Sequence, residues 1–285
     1  MNKMSESLPE DIMKIWIVPS SSEKLNAFLD GGFLRGVVYT IYSRQDRGKS
    51  NTCLDMAFNA AKMGFKVAYI DGDNHGVTVK RLYTLFTARY PKAKILKPTE
   101  VDPDKVYDYY QKILSKYNID IFWTSTLDTL KNKCKEVAES NEYTVIIVDS
   151  VTLFYGEYVS TGGPDSMKKG TGEVTKIYSK LRDSAMNSNH LKILVFTTQR
   201  SSDVAQAMRI SLIEKKEKHN IKIDNSDREE IDRHMGGKSV GHFSDVIIQL
   251  TKFEKKRKAE YVKNRLSEYS ESDIAEFEIC NAGIV

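Results

Sequence analysis

Short apolar runs rich in β-branched residues recur along this chain at 37–42, 67–70, 119–123, 145–148 and 191–196. Between them lie stretches whose apolar residues repeat at helical spacing. Cys53, Leu54, Ala57, Phe58 and Ala61 share one such face. So do Val79, Leu82, Tyr83 and Phe86, then Leu127, Leu130, Cys134 and Val137, and finally Val174, Ile177, Tyr178, Leu181 and Ala185. Ser125, with Asp128 three residues on, is the expected cap of the third. A strand apolar along its whole length needs cover on both faces, so the alternation predicts an α/β fold, a mostly parallel sheet flanked by helices. The chain changes character near its end. The stretches 245–250, 259–262 and 274–279 read as strands with no long helix between them, so antiparallel strands are expected at one sheet edge.

The junctions carry the chemistry. Gly48-Lys49-Ser50 follows the run ending at Tyr42 and opens a helical stretch. That is the setting of a phosphate-binding loop of pattern Gly-x-x-x-x-Gly-Lys-[Ser/Thr]. Backbone N–H groups and a helix N-terminus would face the anion, Lys49 would reach the β and γ oxygens, and the Ser50 hydroxyl would serve Mg²⁺. The same tripeptide also suits a solvated turn, and the loop departs from the pattern. Ser43 stands at the first glycine position, and the interior reads Arg44-Gln45-Asp46-Arg47. A carboxylate at Asp46 would repel a triphosphate, with Arg44 or Arg47 to offset it.

Three later strands end in polar groups. The run 145–148 ends in Asp149, suited to supporting a metal through water or to capping a turn. The run 67–70 ends in Asp71-Gly72-Asp73, where one carboxylate could orient an attacking water, and 195–196 leads into Thr197-Thr198-Gln199, where Gln199 could sense a γ-phosphate. Turn chemistry accounts for either one alone. Together the four junctions fall in order at the edge where α/β sheets bind ligands.

These stretches, with Lys24-Leu25-Asn26-Ala27-Phe28-Leu29-Asp30-Gly31-Gly32-Phe33, Gly236-Gly237, and the ending Phe277-Glu278-Ile279 to Gly283-Ile284, resemble the RecA family, most closely the archaeal RadA and RadB recombinases. The resemblance runs from about Lys24 to the C-terminus. It implies a RecA-like P-loop core over 24–285 behind an N-terminal lead-in at 1–23, without the family's helix-hairpin-helix domain. It also implies ATP and Mg²⁺ as cofactors. Ser43, Arg47, Gly48, Lys49, Ser50 and Asn51 would bind nucleotide, and Ser50 and Asp149 would serve the metal. The family's catalytic glutamate falls on Asp73, and Gln199 would couple nucleotide state to a DNA-binding loop. The expected role is that of an ATP-binding recombinase paralogue in recombination or repair. Its partners would be DNA and a RecA-family recombinase or its own copies. Ser43, Asp46, Arg47 and the shortened carboxylate Asp73 point to slow or absent hydrolysis, because small misplacements of a catalytic group are costly. A scaffold with a vestigial nucleotide site and a KaiC-like signalling ATPase are the alternatives.

Composition adds limits. Of 285 residues, 29% are charged, and the net charge of +4 permits nucleic-acid binding without requiring it. No run nears the roughly 20 apolar residues of a membrane span and no signal peptide is evident, so a cytoplasmic protein is expected, nuclear if the source is eukaryotic. Cys53, Cys134 and Cys280 lie far apart, which suits buried thiols rather than zinc or disulfides, and the five histidines show no ligand spacing. Segments 162–172 and 201–237 lack periodicity and match the family's two DNA-binding loops in position. Lys255-Lys256-Arg257-Lys258, with Lys263 and Arg265, is the densest basic run. It suits contact with DNA phosphates or a neighbouring subunit's nucleotide, or else a solvated hairpin tip. Phe58-Asn59-Ala60-Ala61 resembles a recombinase polymerisation motif, but its place in a phosphate-loop helix points to core packing.

Overall fold

The structure, a computed structural model, describes residues 16–44, 46–73, 77–151, 164–187, 191–199, 237–267 and 273–285. Its centre is a nine-stranded sheet. In chain order the parallel strands are β3 (Val38–Ser43), β4 (Val67–Asp71), β5 (Ile119–Trp123), β6 (Val145–Asp149), β7 (Ile193–Gln199) and β8 (Val246–Phe253). Strands β9 (Lys256–Asn264), β10 (Ile274–Cys280) and β11 (Gly283–Ile284) follow. The spatial order is β11-β10-β9-β8-β3-β7-β6-β4-β5. A small two-stranded sheet pairs β1 (Ile17–Val18) with β2 (Phe33–Leu34).

The antiparallel extension lies at one edge, as expected, but it starts one strand later than the sequence pattern implies. β8 runs parallel to β3, and only from β9 outward is the pairing antiparallel. A crossover through helix Gly237–Phe243 carries the chain to β8. That helix follows the long segment ending at 236, so the apolar pattern gave no sign of it.

Alternation along the strands sorts side chains into two cores. Tyr39, Ile41, Tyr69, Ile147 and Val195 face one layer with Leu54 and Phe58. Val38, Ile70, Ile146, Val148 and Phe196 face the other with Leu130, Tyr178 and Leu181. The first layer is built on α1 (Glu23–Phe28), α2 (Lys49–Lys62), α3 (Val79–Arg89) and α4 (Val106–Ser115). The second is built on α5 (Leu127–Glu139) and α6 (Pro164–Asn187). Each large side chain so buried contributes about 1.5–3 kcal/mol. Phe58, Ala60 and Ala61 are all buried, and Phe58 packs edge-on to Phe86, so 58–61 is core.

Three local readings change. Thr126, one residue after Ser125, caps α5: its Oγ1 accepts from the Thr129 N–H at 3.2 Å, and Thr129 Oγ1 accepts from the Thr126 N–H at 3.0 Å. α6 begins at Pro164, so 164–172 is helical rather than loop. Gly170 and Gly172 dilute its helical signature, and the apolar stripe begins only at Val174. Residues 162–163 and 201–236 lie outside the described residues, as does the side chain of Gln199. Packing also starts before Lys24, because Val18 is fully buried and pairs with Phe33.

One polar node ties both ends of the chain to α2. Asp55, fully buried, pairs with Arg89 of α3. Arg89 also donates to Asn59 Oδ1 (2.6 Å), Ser21 Oγ (2.9 Å) and the Ala282 carbonyl (2.7 Å), and the Ser21 N–H donates to Asp55 Oδ2 at 2.8 Å. Gly283 crosses this node at φ +136°, where a Cβ would overlap the Asp55 carboxylate.

Candidate nucleotide site

The strand register gathers the four junctions at one sheet edge. Ser43 is paired with Gln199, and Asp71 with Asp149. From Ser43 the chain turns through Asp46, exposed and left-handed at φ +57°, to Gly48 at φ +107°. The exposure of Asp46 puts its charge in water and weakens the repulsion expected of it. Gly48 is the N-cap of α2, and no side chain caps the helix there. The first N–H groups of α2 therefore present their positive end at the sheet edge, as an anion requires. A Cβ on Gly48 would lie 2.7 Å from Ile279 Cδ1, so only glycine lets β10 pack against the loop.

Lys49 is 92% buried by surface area, being only 8% exposed. Its Nζ donates to Ser43 Oγ at 3.2 Å and to the Arg44 carbonyl at 3.4 Å, and Ser43 Oγ itself donates to that carbonyl at 2.7 Å. Burial lowers the Lys49 pKa, while Asp149 and Asp73 oppose the shift. The lysine is thus a partly desolvated cation within electrostatic reach of two carboxylates.

Asp149 sits under α2 with both oxygens engaged. Tyr69 Oη donates to Oδ2 at 2.5 Å, and Thr197 Oγ1 donates to Oδ1. The peptide that follows, Asp149–Ser150, is cis. Ser150 Oγ donates to Asp73 Oδ1 at 2.6 Å. Gly72 passes so close to Ser150 that a Cβ would overlap its carbonyl oxygen. Burial raises the Asp73 pKa, with Asp149 adding to the shift and Ser150 and Lys49 resisting it. Asp71 accepts backbone N–H bonds from Asp73 and Val77, both 3.0 Å, so it braces the turn rather than facing outward. Burial lifts its pKa to about 6 against those two bonds.

Of the residues expected here, Ser43, Gly48, Lys49, Asp73 and Asp149 come together directly. Ser50 and Arg47 are half-buried on the same loop and helix start. Asn51 Oδ1 is buried without a hydrogen-bond partner among the described residues. These groups fit a nucleoside triphosphate with Mg²⁺: uncapped amides, a lysine, a hydroxyl at Ser50 and a carboxylate at Asp149. Because hydroxyls occupy the Asp149 oxygens, its support of a metal would run through water.

Sequence reasoning missed Tyr69, Thr197 and Ser150. Tyr69 and Thr197 lie on the same sheet face as Asp149 in the strands on either side of it, a placement that only the register shows. Arg257 stands out in the sequence only as part of the basic run 255–258, with nothing to set it apart from the lysines beside it. The basic run containing Arg257 lies at and just beyond the β8–β9 hairpin. Lys256 pairs with Glu276 (3.3 Å) and Lys258 with Glu260 (2.8 Å), so part of its charge is neutralised in place.

Comparison with known proteins agrees with this geometry. The Rad51 family model matches residues 12–285. The chain is 25% identical over 255 residues to the DNA repair and recombination protein RadB of Archaeoglobus fulgidus, covering 89% of this chain and 91% of that one. It is 25% identical over 233 residues to the RadB protein of Methanococcoides burtonii, 82% of each. DNA repair protein RAD51 homolog 4 of Mus musculus is 32% identical over 142 residues, 48% of this chain and 39% of that one. A crystal structure of the RadB recombinase superposes with a TM-score of 0.61 at 18% identity, covering 94% of this chain and 98% of that one, and so shares the fold. Glycine-capped helix, buried lysine and strand-end carboxylates all lie within the span of the family model, and the chain belongs to the Rad51 family.

Proposed function

We propose that this chain is an ATP-binding recombinase paralogue of the RadB kind, acting in homologous recombination or DNA repair, with slow or absent hydrolysis. The observation that carries the reading is the buried Lys49 ammonium at the uncapped start of α2, within electrostatic reach of Asp149 and Asp73. When bound, Mg²⁺ would neutralise phosphate charge. The chain's own residues do the rest. The α2 amides and Lys49 would hold the phosphates, the Ser50 hydroxyl would serve the metal, and Asp149 would support it through water.

Asp73 sets the expected rate. It is one methylene shorter than the family's glutamate, its carboxylate is held by Ser150, and burial raises its pKa. A general base so placed is short of reach and tied to Ser150, and both features slow proton abstraction.

The names of the relatives and the family membership support DNA and a recombinase, or further copies of this chain, as partners. Gln199 leads from the site into residues 200–236, the path by which nucleotide state would reach DNA. No described helix is long and apolar enough to cross a membrane, and a cytoplasmic setting is proposed. The test is a titration with ATP, with and without Mg²⁺, followed by steady-state turnover with and without single-stranded DNA. Tight binding abolished by Lys49→Ala, with turnover well below that of a full recombinase, is expected. Failure to bind ATP would favour a scaffold with a vestigial site. Turnover at recombinase rates would overturn the slow-hydrolysis reading.

A further inference from the structure

The antiparallel edge of the sheet reaches the phosphate loop through Arg257 and Ile279. Arg257 stands on β9 opposite Phe277, one residue past the start of that strand. Its flanking lysines are paired with carboxylates, whereas Arg257 has no carboxylate partner among the described residues. Its Nη1 donates only to the carbonyls of Lys255 (3.0 Å) and Lys256 (3.3 Å). Its Nε is buried and makes no hydrogen bond. That nitrogen lies 3.5 Å, and Cδ 3.7 Å, from the point a Cβ of Gly48 would occupy. Burial lowers the Arg257 pKa, and the nearby charge of Arg47 lowers it further.

Arg47 and Arg257 therefore bring like charge together beside Gly48 at a partly dry surface. Bringing cations together with an unmet N–H is unfavourable unless an anion completes the set. The anion that fits is phosphate, because guanidinium presents a planar fork of donors to its oxygens. We propose that Arg257, supplied from outside the phosphate loop, binds the phosphate chain of the nucleotide over Gly48, together with Lys49 and the α2 amides. This rests on the nucleotide-binding reading above and extends it. Ile279, packed on Gly48, holds the edge strands close enough for the contact. The hairpin's contribution is then to this chain's own nucleotide, not to a neighbouring subunit's.

The test compares wild type, Arg257→Ala, Arg257→Lys, Lys49→Ala and, as a control, Lys256→Ala, titrated with ATP and ADP in Mg²⁺ at several salt concentrations. Expected for Arg257→Ala is ATP affinity weaker by about tenfold or more, the scale of one charge-assisted hydrogen bond, and a shallower salt dependence. Arg257→Lys should recover part of the loss and Lys256→Ala should match wild type. The melting temperature without nucleotide should stay near wild type in Arg257→Ala while the rise caused by ATP shrinks, a pattern that a purely structural role would not produce. If Arg257→Ala binds ATP within about twofold of wild type while Lys49→Ala does not bind, the inference is wrong and the nucleotide site stands. Loss of DNA binding alone, with ATP affinity intact, would equally overturn it. If wild type itself binds no ATP, the nucleotide-binding reading fails and the inference falls with it.

Discussion

The Ser43 hydroxyl accepts a hydrogen bond from the Lys49 ammonium at 3.2 Å while donating to the Arg44 carbonyl. The residue that departs from the glycine pattern thus holds the lysine folded back along its own loop. A phosphate on Lys49 would compete with this contact. Ser43→Gly removes the competitor, and ATP affinity should tighten by about threefold to tenfold, the scale of one ordinary net hydrogen bond. Calorimetric titration of both proteins checks this; unchanged or weaker binding would show that Ser43 does not compete.

Asp73 is the group expected to limit turnover. Asp73→Glu restores the longer carboxylate and should raise kcat by about tenfold or more while ATP affinity stays within about threefold. Single-turnover hydrolysis separates the two quantities. A variant that gains nothing would place the block elsewhere, in the loop or at Gln199.

Asp71 links the site to pH. Its folded-state pKa of about 6 lies above the ordinary value near 4, so the folded protein binds the proton more tightly than the unfolded chain. Between about pH 4 and 6 the folded state carries more bound protons, and stability falls as pH rises, levelling off above 6. The full swing is about 3 kcal/mol at most. Asp73, raised in the same direction, adds to it. Denaturant midpoints at pH 4, 5, 6 and 7 should show this trend flattened in Asp71→Asn relative to wild type, and parallel curves would count against it.

Arg89 pairs with a fully buried Asp55 and is itself only 5% exposed at the side chain. Arg89→Met leaves that carboxylate without its cation, which should cost about 3–5 kcal/mol of stability. The double variant Arg89→Met, Asp55→Leu should regain part of it. Urea unfolding of the three proteins decides, and a single variant as stable as wild type would remove the node from the account of stability.

The parallel core was legible because β3, β4, β6 and β7 are covered on both faces and their runs are apolar, interrupted by Thr40 in β3. The strand-end groups were legible because polar residues closing such runs stand out. What stayed hidden depends on neighbours rather than on local pattern. Tyr69 and Thr197 read as ordinary strand residues until the register lays them beside Asp149. Arg257 looks like one more charge in a basic run until β9 folds onto the phosphate loop. The start of α6 was lost because Gly170 and Gly172 lack the apolar spacing that marks a helix. Helix α4 went unread, although Val106, Tyr110 and Leu114 are buried at four-residue steps.

Gly283 and Ile284 meet α2 at the Asp55–Arg89 node, and Ile279 lies on Gly48. The helix that carries Lys49 is therefore finished from the far end of the chain. During synthesis residues 49–62 emerge more than two hundred positions before the strands that wall them in. A nascent chain would pass most of its translation with the phosphate loop open on one side, so its nucleotide pocket would be among the last parts of the molecule to mature.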